Sequence, residues 1–95
     1  MTGKERAYFR KIANSCHPTL YIGKEGITEQ VIAEARDAAE ANELIKGSVQ
    51  QGAPVDAREA LATICDRIGA EPISQIGRKF VLYKKNNKHP KLIAP

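Results

Sequence analysis

Residues 19–31, TLYIGKEGITEQV, decide how the fold is read. Leu20, Tyr21 and Ile22 form a brief apolar, β-favouring run, which predicts a short buried strand. Gly23 and Gly26 then bracket the pair Lys24 and Glu25, and Thr28 is a good N-cap for a following helix. Ile27 and Ile32 fall at the two positions of a hydrophobic staple. The segment therefore reads as strand, two-glycine loop and capped helix. Glycines let a backbone turn sharply and let another molecule come close, and amides at a helix start favour an anion. Taken alone, a G-x-x-G spacing is more often an ordinary tight turn whose glycines serve geometry only. It lacks the Lys-Ser/Thr ending of a P-loop and the third glycine of a dinucleotide fingerprint, so nucleotide binding is disfavoured. The remaining ligand for such a loop is the phosphate backbone of a nucleic acid.

On the N-terminal side, Thr2 and Glu5 make a capping box that starts a first helix over residues 3–14. Tyr8, Phe9, Ile12 and Ala13 are its inner face, which leaves Lys4, Arg6, Arg10 and Lys11 to water. Pro18 disfavours helical geometry at His17 and marks a break. On the C-terminal side, the second helix is expected over residues 29–41, with an apolar stripe of Val31, Ile32, Ala35, Ala38 and Ala39 and with Asn42 as its breaker. Residues 43–49 alternate as a strand, with Ile45, Gly47 and Val49 on one face and Leu44, Lys46 and Ser48 on the other. Asp56 and Glu59 open a third helix with core positions Ala57, Ala60, Leu61, Ile64, Cys65 and Ile68, and Gly69 closes it. Residues 73–76 and 79–84 form a hairpin through Gly77-Arg78, glycine first.

The order αβαβαββ predicts an α/β (α+β) domain: a four-stranded mixed sheet with three helices packed on it. Parallel strands come from the β-α-β units and an antiparallel one from the final hairpin. Residues 1–84 constitute the domain and residues 85–95 a basic, flexible tail. At 95 residues the chain is long enough for one core but not for two.

Charge is uneven along the chain. Residues 1–24 carry five bases against Glu5, residues 25–71 carry ten acids against four bases, and residues 72–95 carry six bases and no acid. The ends and the glycine loop could thus gather into one positive face that attracts phosphates. No apolar run approaches a membrane span and the N-terminus has no apolar signal region, so a cytoplasmic protein without membrane attachment is expected. Cys16 and Cys65 lack metal-ligand spacing and read as reduced structural thiols. His17 has only His89 as a fellow histidine, which argues against a metal site. No cysteine–histidine, serine–histidine–acid or paired-carboxylate set can be placed in one pocket from its spacing. Neither enzymatic activity nor a cofactor is expected.

The segments GKEGITEQV, ELIKGSV and IGRKFVLYK, in this order, closely resemble the CRM domain family (chloroplast RNA splicing and ribosome maturation) in its bacterial stand-alone, YhbY-like form. The similarity spans residues 2–84. It implies an RNA-binding domain with a fold similar to the C-terminal domain of translation initiation factor three, and a role with precursors of the large ribosomal subunit. The family's loop matches Gly23, Lys24, Glu25 and Gly26, with Glu25 a departure because its charge opposes an anion. KH domains also hold a nucleic-acid backbone with GxxG, but between two helices.

RNA phosphates are accordingly expected over Gly23, Lys24, Glu25 and Gly26 and at the helix start after Thr28. Arg10, Lys11, Arg78, Lys79, Lys84 and Lys85 would extend the contact. Neutralising about five phosphates predicts a log–log salt slope of roughly −3.5 to −4.5. The aromatics Tyr8, Phe9, Tyr21, Phe80 and Tyr83 read mostly as core, so shape recognition by a monomer is favoured over a base-stacking platform. A competing possibility is a protein-interaction module that uses the acidic second helix, with Glu34, Asp37 and Glu40, to dock on a ribosomal or assembly protein.

Overall fold

The structure, a computed structural model, describes residues 1–85. The elements are α1 (Gly3–Ala13), β1 (Leu20–Ile22), α2 (Glu29–Asn42), β2 (Leu44–Val49), α3 (Ala57–Ile68), β3 (Glu71–Ile76) and β4 (Lys79–Tyr83). This is the expected order, and it forms one α/β domain with a four-stranded mixed sheet. Beyond Lys85, the tail expected over residues 85–95 lies outside the described residues.

The helix ends follow from their capping residues. Thr2 and Glu5 exchange both bonds of a capping box, with the Glu5 amide donating to Thr2 Oγ1 at 3.1 Å and the Thr2 amide donating to Glu5 Oε1 at 3.0 Å. Thr28 Oγ1 accepts from the Val31 amide, and Asp56 Oδ1 from the Glu59 amide. Gly69 ends α3 in the left-handed conformation, at φ +71°. The end of α2 differs from expectation. Asn42 is the last helical residue, and Glu43 makes the exit at φ +64° and ψ −50°, an unusual conformation for a residue with a Cβ. Glu43 is buried, its amide donates to Ala39 O and its carbonyl accepts from the Lys84 amide. The long-range bond from Lys84 helps hold a turn that local propensity would not choose.

The strands lie in the order β1-β2-β4-β3. β1 pairs with β2 in parallel, while β4 is antiparallel to both β2 and β3 and sits between them. The burial of Phe80, Val81, Leu82 and Tyr83 in succession suits such an inner strand, covered on both faces. β3 is the edge partner and begins at Glu71, two residues before its expected start. Pro72 is tolerated there because its missing N–H faces an edge. A register shift between Pro72 and Ser74 lets Ile73 turn into the core. At the hairpin, Gly77 has φ +60° and Arg78 is not left-handed, as a glycine-first turn requires.

Two cores result. Leu20, Ile22, Ile45, Val49, Phe80 and Leu82 face α2 and α3, which bring Ile32, Ala35, Ala39, Leu61, Ile64 and Ile68. On the opposite sheet face Val81, Tyr83 and Ile73 meet Phe9 and Ala13 of α1, with Leu44 at the margin. Phe9 and Tyr83 stack at a centroid distance of 4.1 Å and an interplanar angle of 18°. Gly47 faces the larger core at mid-strand, where an added Cβ would overlap three ring carbons of Phe80.

Gly47→Ala is therefore expected to destabilise the protein by about 1–3 kcal/mol through overpacking, seen as a lower urea midpoint without a change in slope. A second expectation concerns the thiols: Cys16 is exposed and Cys65 buried. Burial, with a smaller contribution from Glu71, pushes the Cys65 thiol from an ordinary 9.0 to about 11. Between those values the unfolded chain gives up this proton while the folded one keeps it. Stability present below pH 9 is thus lost as pH rises toward 11. In urea titrations, wild type should lose more stability over that window than Cys65→Ala, and at neutral pH iodoacetamide should label Cys16 first.

Candidate nucleic-acid interface

Three loops stand side by side at the end of the sheet where β1 and β2 finish. The first is the glycine turn: the Gly26 amide donates to Gly23 O at 3.0 Å, so Lys24 and Glu25 occupy its exposed tip. Gly26 has φ +71°, and a Cβ there would approach Pro54 Cγ to 2.9 Å, so this glycine is required both by the turn and by its seat on the next loop. That second loop, residues 50–54, is tied to β1 by the Gln50 amide donating to Ile22 O at 2.8 Å. The third is the Gly77-Arg78 turn, held by the Val49 amide donating to Arg78 O at 2.8 Å. Lys24 and Arg78 consequently project from loops on either side of the 50–54 loop. Glu25 does not cap α2, since Thr28 fills that role, and the amides of Gly26 and Val31 are already engaged.

Lys79 begins β4 and points to the α1 side of the sheet, in register with Ser48 and Ile76. A groove runs there between the last turns of α1 and the strands, lined by Arg10, Ala13, Lys46, Ser74, Ile76 and Lys79. Arg10 and Lys79 supply its charge. Lys46 is half-buried, its Nζ donating to Ala13 O at 3.3 Å and Cys16 O at 3.4 Å, so it caps the carbonyl end of α1. Lys11 is exposed on α1 without lining the groove.

The remaining two bases are elsewhere. Lys84 and Lys85 follow the other end of β4, about 17 Å from Lys79 at strand rise. Lys84 Nζ donates to Ile68 O at 2.6 Å and closes the C-terminus of α3. Hydrogen bonds with Thr2 hold the Glu5 carboxyl below its usual range, and the positive charge of Lys85 adds a minor contribution. The structure brings together Arg10, Lys24, Arg78 and Lys79 along one rim and face, and sets Lys84 and Lys85 apart.

Acids gather on the opposite side. Glu34, Asp37 and Glu40 are exposed on α2, which covers the sheet face away from α1. At its first turn Glu29 accepts from Arg67 at 2.8 and 2.9 Å, which joins α2 to α3 and keeps the Glu29 carboxyl below the usual range. Among the described residues no group of three or more His, Cys, Asp or Glu converges to hold a metal.

The structure also corrects the reading of Tyr21. It was expected inside a buried strand, yet it is 65% exposed, and Ile76 is 75% exposed. Leu20 and Ile22 take the inward positions, and strand alternation turns the residue between them outward. That signal was present in the sequence. The absence of a helix over it was not.

The chain is similar to known proteins in sequence and in fold. The chain is 30% identical over 95 residues to the "Probable RNA-binding protein YqeI" of Bacillus subtilis, covering 100% of this chain and 99% of that one. It is 30% identical over 94 residues to a "Probable RNA-binding protein" of Pseudomonas aeruginosa, covering 99% and 90%. The solution structure of a hypothetical Staphylococcus aureus protein, proposed to bind RNA, superposes with a TM-score of 0.82 at 33% identity, covering 100% of this chain and 99% of that one. The family model of the CRS1 / YhbY (CRM) domain matches residues 1–84. With the match spanning every strand and helix described above, the chain belongs to the CRS1/YhbY (CRM) domain family.

Proposed function

We propose that the protein binds RNA through the rim formed by Lys24, Arg78 and Lys79 and the adjoining Arg10, and that its target is large-subunit ribosomal RNA or a precursor particle during ribosome assembly. It would act in the cytoplasm as a monomer. The observation that carries the reading is the separation of charge: these four cations share one side while Glu34, Asp37 and Glu40 face the other. A polyanion approaching this surface is attracted on one side and repelled on the other, which orients it before contact. The names of the relatives support RNA as the polyanion. No chemical step is proposed.

Within this reading the glycine turn presents Lys24 to a phosphate, and the half-buried Gly23, having no side chain, lets the backbone approach, while Gly26 is buried against Pro54 and serves the turn. Phosphate contacts of this kind position RNA without reading its bases. Glu25 beside Lys24 lowers the affinity of the turn for an anion and makes Arg78 and Lys79 necessary partners.

Four neutralised phosphates predict a slope of log affinity against log salt of roughly −2.8 to −3.6 for large-subunit ribosomal RNA. Lys24→Ala or Lys79→Ala should each weaken binding and flatten the slope by about 0.7–0.9. Lys84→Ala should leave the slope unchanged and lower the melting temperature, because its ammonium closes α3. If charge reversal at Glu34, Asp37 and Glu40 abolishes association with precursor particles while Lys24→Ala and Lys79→Ala leave it intact, the contact is to protein through α2.

A further inference from the structure

We infer that the uncovered strip of the sheet beside α1 is a site for single-stranded RNA, in which an unpaired base stacks on Tyr21 while the backbone runs past Lys79. The inference rests on the RNA-binding reading and adds to it a contact that phosphate recognition does not need.

Tyr21 is held in place rather than loosely displayed. Its hydroxyl donates to Pro18 O at 2.9 Å, which fixes the ring on the β1 edge while 65% of the residue stays open to solvent. A ring already ordered loses little freedom when a base lies on it. Register places Tyr21, Ser48, Lys79 and Ile76 in one row across all four strands, on the face that α1 occupies further down. Ser48, the neighbour of Tyr21, is too small to cover the ring. Lys79 is two strands away, about 10 Å, and the exposed Ile76 closes the row. The strip is thus an aromatic ring and an aliphatic side chain separated by a cation.

Charge identifies the occupant. The groove leading into the row carries Arg10, Lys46 and Lys79 and no acid among its lining residues. An anionic chain bearing flat apolar faces complements such a surface. Stacking of bases on exposed aromatics, with cations along the backbone, is how single strands are bound without sequence selection. A duplex keeps its base faces covered and could use only the cations. Tyr21 also leads directly into Gly23–Gly26, so the stacked base and the phosphate at Lys24 would belong to one continuous strand of RNA.

The test compares wild type, Tyr21→Ala and Tyr21→Phe for binding to a single-stranded oligoadenylate of about twelve nucleotides and to a blunt RNA duplex of equal length, across a salt series. Circular dichroism melts confirm that both variants fold. Tyr21→Ala is expected to weaken oligoadenylate binding by roughly 5- to 150-fold with the salt slope of wild type, and to leave duplex binding unchanged. Tyr21→Phe, which keeps the ring, should stay close to wild type. Unchanged affinity of Tyr21→Ala for both RNAs would overturn the stacking site and leave the phosphate reading standing. Equal weakening on both RNAs, or a loss in Tyr21→Phe as large as in Tyr21→Ala, would also overturn it by assigning the effect to backbone contact or to the Pro18 bond. Failure of wild type to bind either RNA would overturn this site and the RNA reading together.

Discussion

A four-stranded sheet is about 14 Å across between its outer strands, and one helix with its side chains is about 10–12 Å wide. Two helices can therefore cover one face of this sheet, and one helix cannot cover the other. α2 and α3 together close the face built on Ile22, Ile45, Phe80 and Leu82. α1 closes only part of the opposite face, packing on β2, β3 and β4. Its position is set by the Phe9–Tyr83 stack, by Lys46 at its carbonyl end and by Arg6, whose Nε donates to Pro72 O at 3.2 Å. The strip next to β1 stays open as a geometric consequence, and the exposed Tyr21 and Ile76 lie on it.

The same arrangement sorts the charges. α1 and the start of β4 put Arg10 and Lys79 on the partly covered face, while the acidic side of α2 is on the other. The glycine turn sits at the sheet end, seated on Pro54, and directs Lys24 to the rim shared with Arg78. Basic side chains are separated by function as well as by position. Lys46 and Lys84 close the carbonyl ends of α1 and α3, so their ammonium groups serve the fold, whereas Lys24, Arg78 and Lys79 are left exposed. A count of positive residues does not make that distinction; it depends on which carbonyls come within reach.

Much of this is legible in the sequence. Element order, the caps at Thr2, Thr28, Asp56 and Gly69, the glycine-first hairpin and the inward residues of α3 all follow from spacing and from bonds within one turn of chain. The unbroken apolar run of residues 80–83 is compatible with a strand covered on both faces without saying which neighbours it takes, and the alternation of β1 contained the outward turn of Tyr21. Less legible was Glu43, because a buried non-glycine residue at positive φ is tolerated only when distant bonds, here with Lys84, hold it.

By itself, then, the sequence determined the helices, the strands, the glycine turn and the uneven charge along the chain, since each depends on residues close in sequence. Tertiary structure alone decided that β4 enters between β2 and β3, that Lys84 is spent on α3 and that no helix covers Tyr21. Those outcomes depend on which surfaces three helices can cover at once, a competition for burial among segments tens of residues apart that no local pattern encodes.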